Sequence, residues 1–206
     1  MAMTEADGRK HHIGVKAGEV GRYVLLPGDP DRVERIAKRF DHPRFVAQRR
    51  EYVTWSGELD GVTVSCTSTG IGCPSAAIAV EELVDIGVDT FIRVGTSGSM
   101  QHHIKPGSIG VITGAIRDEG TSHHYAPPAR TSEPSPEAVA AITATLARHG
   151  IEHATGTTWT TDALYRETRA KVARRVAEGC LTVEMEAAGI GILRNRVIAP
   201  HQPART

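Results

Sequence analysis

In the first half of the chain, three short apolar runs each end abruptly in a glycine-containing break. The breaks are Leu26-Pro27-Gly28-Asp29-Pro30, Ser68-Thr69-Gly70-Ile71-Gly72 and Arg93-Val94-Gly95-Thr96-Ser97-Gly98. Helical spacing follows the first through Val33, Ile36, Ala37 and Phe40. It follows the second through Ala77, Val80 and Val84 to Gly87, with Pro74 where a first helical turn tolerates a missing N–H. Val62, Val64 and Cys66 alternate with Thr63, Ser65 and Thr67, which is the period of a strand. Thr90 to Val94 and Ser108 to Ala115 read as further strands, Pro127 to Pro136 as a surface loop, and Glu137 to His149 as an amphipathic helix. Alternating strands and helices need crossover connections, which favour parallel pairing. The expected fold is a three-layer α/β/α single domain, residues 1–206, around a mixed, mostly parallel central sheet.

Bulk composition narrows the function classes. With 206 residues, one core can be well filled. The 24 basic and 24 acidic residues cancel, which gives no electrostatic footprint for nucleic acid or an anionic membrane. No apolar run approaches the roughly 18 residues of a spanning helix. Met1 to His12 lacks the apolar stretch of a secretory signal. Cys66, Cys73 and Cys180 show no paired spacing, so a reduced cytoplasm is expected. The histidine pairs His11-His12, His102-His103 and His123-His124 have no carboxylate or Cys at ligand spacing, and no metal site is expected. A nicotinamide dehydrogenase would carry G-x-G-x-x-G after its first strand, and none of the breaks has it.

In a doubly wound sheet, ligands bind beyond the carboxyl ends of the strands. Glycines there let the backbone approach an anion closely and aim its N–H groups at it. Arg32 stands at a helix start just past the first break. Arg93 lies inside an apolar strand, where burying a guanidinium without an anionic partner is costly. Thr96 and Ser97 add hydroxyl donors. These residues together make a phosphate cradle. Each has a plainer reading too: glycine turns are common, Arg32 suits a solvated helix face, and Arg93 can pair with a structural carboxylate.

Later in the chain, Leu181-Thr182-Val183-Glu184-Met185-Glu186-Ala187-Ala188 places two carboxylates after an apolar run. Were the segment extended, Glu184 and Glu186 would point to one side and Met185 to the other. Two carboxylates suit a vicinal diol, and a thioether can pack on the apolar face of a sugar. The competing reading is an acidic helix start favoured by the dipole. Tyr165 and Arg166 suit stacking on and bonding to a base. Equally, Asp162 can cap a helix with Tyr165 packed inward.

Together these stretches, with Arg50-Glu51-Tyr52, resemble the nucleoside phosphorylase family, whose members include uridine phosphorylase and the hexameric bacterial purine nucleoside phosphorylase. The resemblance covers roughly Ile13 to Ala188. The glycine-serine helix start and Ala79-Val80-Glu81-Glu82-Leu83 look closer to uridine phosphorylase. It implies a phosphorylase/hydrolase-like fold and phosphorolysis of a nucleoside to free base and (deoxy)ribose 1-phosphate. Inorganic phosphate is then the co-substrate, and no cofactor is needed. By resemblance Gly28, Arg32, Arg93 and Thr96 bind phosphate, and Arg50 reaches the phosphate of a neighbouring subunit's site. His12, in His12-Ile13-Gly14, touches the ribose across the same interface. Glu184, Met185 and Glu186 match the ribose-binding triplet, and Arg93 and Glu186 carry the catalytic charges. The third break, Thr96-Ser97-Gly98, together with Tyr165 and Arg166, would face the base. Exchanged half-sites imply a homo-oligomer, a hexamer built from dimers.

Two departures stand out. The compact stretch Trp159-Thr160-Thr161-Asp162-Ala163-Leu164-Tyr165-Arg166-Glu167-Thr168 has no Gln-x-Arg pair of the kind that reads uracil. Beyond Ala188 the family continues through a long helix, a strand and a final helix. Here Gly189-Ile190-Gly191-Ile192-Leu193-Arg194-Asn195-Arg196 leads into a polar tail containing Pro and His. A strand and a helix are therefore expected to be missing after about residue 188. These departures leave a purine nucleoside or 5′-methylthioadenosine phosphorylase as alternatives. A nucleosidase using water and a catalytically impaired nucleoside-binding remnant also stay open.

Overall fold

A computed structural model describes residues 2–128 and 131–197, which form a mixed α/β fold with two mixed sheets and five α-helices. The chain divides into two compact units. One holds the residues up to Gly95 and resumes at Leu193; the other is Thr96–Ile192.

In the first unit, β1 (Tyr23–Leu26) leads into α1 (Asp31–Ala37), a hairpin of β2 (Asp41–Arg49) and β3 (Tyr52–Leu59), then β4 (Val62–Thr67), α2 (Cys73–Asp85) and β5 (Thr90–Arg93). The sheet order is β2-β3-β4-β1-β5. β1 runs parallel to both neighbours, with Tyr23 opposite Val64 on one side and Thr90 on the other. β3 pairs antiparallel with β4 and with β2. The three adjacent parallel strands therefore release their glycine breaks side by side at one edge.

Val33, Ala37 and Phe40 of the α1 region pack on Val53 and Cys66 of the sheet, with Leu25, Ile36, Trp55 and Val64 around them. Burying each of the larger side chains contributes roughly 1.5–3 kcal/mol, which locks the helix against the strands. The Asp29 carboxylate accepts from the Asp31 N–H at 2.9 Å, so the residue after Gly28 starts α1.

The β2–β3 hairpin has no counterpart in the sequence expectations. β2 is exposed along most of its length and carries Pro43, so it shows no alternation to read. It is held by pairing with β3, which is buried over most of its length.

In the second unit, β6 (Gly98–Ser99), β7 (Ile109–Asp118), β8 (Thr131–Ser132), α3 (Pro136–Arg148), β9 (His153–Thr161), α4 (Arg169–Ala177), β10 (Thr182–Glu184) and α5 (Ala187–Val197) follow in order. The sheet order is β6-β10-β9-β7-β8, with β10, β9 and β7 parallel and both edge pairs antiparallel. Ile116, Trp159 and Cys180 form the core, backed by Met100, Val172 and Val183. The Trp159 indole donates to Asp118 at 3.0 Å, and Arg175 stacks over its ring while pairing with the same carboxylate at 3.2 Å.

Four local expectations change. The helix after Asp162 is not capped by it: Asp162 accepts from the Gly120 N–H, and Thr168 caps α4. Tyr165, in a short 3-10 turn, is 96% exposed instead of packed inward. The alternation expected through Glu184-Met185-Glu186 stops, because β10 ends at Glu184 and the backbone bends before α5. The surface stretch from Pro127 contains the short strand β8. Ala129, Arg130 and the polar tail from residue 198 lie outside the described residues.

Candidate active site

At the carboxyl edge of β4, β1 and β5 the three glycine breaks are stitched together by their backbones. The Thr69 N–H donates to Pro27 O at 2.9 Å, Gly70 N–H to Gly28 O at 2.9 Å, and Val94 N–H to Leu26 O at 3.1 Å. Gly70 takes a positive φ of 67°, and a Cβ there would stand 2.7 Å from Cγ of Glu51. Only glycine fits that turn.

Two arginines meet at this edge. Arg93, the last residue of β5, is half-buried and donates from Nη1 to Leu26 O at 3.3 Å and to the Thr69 hydroxyl at 2.9 Å. Its guanidinium lies over Gly28, where a Cβ would fall 3.2 Å from Nη2. Arg32, in the first turn of α1, reaches back and donates to Val94 O at 3.3 Å. Residues 61 positions apart in sequence thus bring two guanidinium groups to one glycine-floored edge. The structure brings Gly28, Arg32 and Arg93 together at this edge. Thr69 is the residue that sequence reasoning passed over; its place inside a quoted break, one residue before a turn glycine, was the available signal.

His12 and Arg50 sit elsewhere in the first unit. The Glu82 carboxylate, buried on α2, accepts from the His12 N–H, the Ile13 N–H at 2.8 Å and His12 Nδ1 at 2.7 Å. One buried acid thereby pins His12 and Ile13 together. Arg50 is exposed at the tip of the β2–β3 hairpin, with a left-handed φ of 55°. Its neighbour Glu51 accepts from the Ser75 hydroxyl at 2.8 Å. Glu51's own backbone N–H, then the Ser75 hydroxyl and the nearby charges of Arg50 and His12, hold its carboxyl below the ordinary range against partial burial.

In the second unit, Thr96 and Ser97 are exposed, and Gly98 belongs to β6, facing Val183 of β10. A Cβ on Gly98 would lie 3.1 Å from the Val183 side chain, so Gly98 itself runs close beside the strand that ends in Glu184. Glu184 accepts from the Thr160 hydroxyl at 2.5 Å and from the backbone N–H groups of Glu186 and Ala187, both at 2.7 Å. That is the geometry of a carboxylate starting a helix. Burial pushes its pKa up, against those three hydrogen bonds. Glu186 is buried, and Met185 half-buried. Tyr165 and Arg166 stand exposed on their turn.

The buried Arg117 of β7 was also missed. It donates to the Ser122 hydroxyl at 2.7 Å, to Pro127 O at 2.7 Å and to Ala126 O at 3.1 Å, and Ser122 in turn bonds Glu119. This network folds the loop that carries His123 and His124, with both histidines exposed. Among the described residues no group of three or more His, Cys, Asp or Glu side chains is placed to hold a metal ion. Nor is any described helix long and apolar enough to cross a membrane.

The profile of the Phosphorylase superfamily matches residues 22–196. A uridine phosphorylase of Treponema pallidum is 44% identical over 195 residues, 89% of this chain and 76% of that protein. A uridine phosphorylase of Thermococcus kodakarensis is 47% identical over 165 residues, 77% of this chain and 57% of that protein. A guanosine phosphorylase of Halorubrum lacusprofundi is 39% identical over 188 residues, 91% of this chain and 78% of that protein. Among solved structures, a uridine phosphorylase from Vibrio fischeri superposes with a TM-score of 0.90 at 34% identity, covering 94% of this chain and 81% of the other.

Proposed function

The chain belongs to the phosphorylase superfamily, and on that premise we propose that it is a nucleoside phosphorylase cleaving uridine with inorganic phosphate to uracil and ribose 1-phosphate. The observation that carries the reading is the pair of guanidinium groups, Arg93 and Arg32, brought to the edge floored by Gly28. An oxyanion with two or three negative oxygens is the natural occupant of such an edge.

In this reading a phosphate oxygen attacks the anomeric carbon while the C–N bond breaks, and the base leaves with the electron pair and takes up a proton. The sugar passes through an oxocarbenium-like state. The phosphate and the Glu186 carboxylate stabilise that developing cation, and fixed charges of this kind are usually the largest catalytic effect. Arg93 and Arg32 lower the entropy cost by holding the nucleophile in place. Thr96 completes the phosphate shell, Met185 packs on the sugar, and Glu184 shapes the turn that carries Met185 and Glu186. Thr96, Ser97, Gly98, Tyr165 and Arg166 face the base. No metal or organic cofactor enters.

Arg50 and His12 serve the site of a neighbouring subunit, so the working form is a homo-oligomer, a hexamer assembled from dimers with shared sites. All 206 residues belong to one phosphorylase domain working in cytoplasmic nucleoside salvage. A second reading, a purine nucleoside substrate, is favoured by the guanosine phosphorylase matched across 91% of the chain. Turnover of uridine, guanosine, inosine and 5′-methylthioadenosine, each with phosphate, tests the assignment. Fastest turnover of uridine supports it, preference for guanosine selects the second reading, and binding without turnover overturns both.

A further inference from the structure

We propose that Thr69 is a positioning residue for the phosphate nucleophile, acting through Arg93; the inference rests on Arg93 being a phosphate ligand. Thr69 is fully buried, and its hydroxyl oxygen accepts from Arg93 Nη1 at 2.9 Å. Its own proton faces Gly70 O at 3.1 Å and Pro27 O at 3.4 Å, and its backbone N–H donates to Pro27 O at 2.9 Å. The hydroxyl is therefore oriented with its lone pair toward the guanidinium and held there by the glycine breaks themselves.

The second partner of Nη1 is Leu26 O at 3.3 Å. Two scaffold oxygens, one at the end of β1 and one in the break after β4, thus fix one nitrogen of the fork, and with it the plane of the guanidinium. Gly28 and Gly95 confine the group further, since a Cβ on Gly95 would lie 3.3 Å from Nε. The other buried threonines of this sheet behave differently: Thr54 and Thr67 bond each other at 3.0 Å. Thr69 alone among those three is bonded to a cation. Holding the guanidinium at a set angle before the anion arrives is preorganisation, which strengthens binding without any contact between Thr69 and phosphate.

Isothermal titration of inorganic phosphate, at fixed ionic strength, into wild type, Thr69→Val, Thr69→Ser and Arg93→Ala separates the possibilities. A hydrogen bond to a charged group supports an expected loss of about tenfold in phosphate affinity for Thr69→Val. Thr69→Ser should stay within about twofold of wild type, because it keeps the hydroxyl. In kinetics the phosphate KM rises while the nucleoside KM moves little. Should Thr69→Val fail to fold, Thr69→Ala carries the same expectation. Wild-type affinity in Thr69→Val alongside weak binding in Arg93→Ala overturns the positioning role and leaves the phosphate reading intact. Equal weakening in Thr69→Ser and Thr69→Val also overturns it, because methyl packing would then be responsible. Unchanged binding in Arg93→Ala, or no binding by wild type, removes the phosphate reading itself.

Discussion

Arg93 and Gly28 meet so closely that a Cβ built on the glycine falls 3.2 Å from Nη2 of the guanidinium and 3.4 Å from Nη1. The same Cβ would press on Gly70 O at 3.2 Å, and backbone does not give way easily. Gly28→Ala should therefore move the guanidinium and raise the phosphate KM by about tenfold or more, a transition-state loss on the order of 1.4 kcal/mol. Steady-state kinetics over a phosphate series checks this. A phosphate KM unchanged by the extra methyl would show that Arg93 does not hold the anion.

Glu184 predicts a stability effect with a definite pH sign. Two of its three accepted hydrogen bonds come from the backbone N–H groups at the start of α5, so Glu184→Ala should cost about 1–2 kcal/mol, read by urea denaturation. Burial raises its folded pKa above the ordinary 4.5. A raised carboxyl favours the fold fully when protonated, and loses that contribution as pH rises through the folded value. Glu184→Gln stays neutral at every pH, so its stability relative to wild type should climb across the window just above 4.5. A flat difference across that window contradicts the assignment.

How much of this was legible in the residues differs by element. β1, β4, α2 and β5 were readable because each is a short apolar pattern soon closed by glycine or proline, and α1 was readable from its helical spacing. The β2–β3 hairpin was not, because β2 is exposed along most of its length and owes its form to a partner strand. At the candidate site, Arg93 drew notice as a cation in an apolar strand, and Gly28 and Arg32 by their place at a glycine break that opens a helix. Thr69 and Arg117 could not be: a threonine in a turn and one more strand arginine acquire meaning only from what they face. The Glu184–Glu186 pair misled on geometry, since the acid itself draws the backbone N–H groups of the next turn and ends the strand.

The cysteines give a chemical test. Burial raises the Cys66 thiol to about 12, and Cys73 and Cys180 are also buried. A raised thiol pKa adds stability that persists below the ordinary value of 9.0 and is lost as pH climbs toward 12. Native protein at pH 8 should leave Cys66 unlabelled by a thiol reagent, whereas the urea-unfolded chain should label at all of its cysteines. Mass spectrometry of the labelled peptides reads the outcome, and rapid native labelling of Cys66 would contradict its placement in the core.

Tyr165 separates base recognition from folding. Its side chain is 96% exposed, so Tyr165→Ala should leave the melting temperature within about a degree or two of wild type. If the ring stacks on the base, the nucleoside KM should rise by roughly five- to tenfold. A normal KM would assign base recognition to other residues.

The most direct measurement follows the fate of the sugar. Incubated with uridine and phosphate, the protein should release uracil and ribose 1-phosphate in equal amounts, resolved by phosphorus NMR, with Arg93→Ala requiring far more phosphate for the same rate. Uracil appearing with free ribose, at a rate indifferent to phosphate, would contradict an anion held between Arg93 and Arg32.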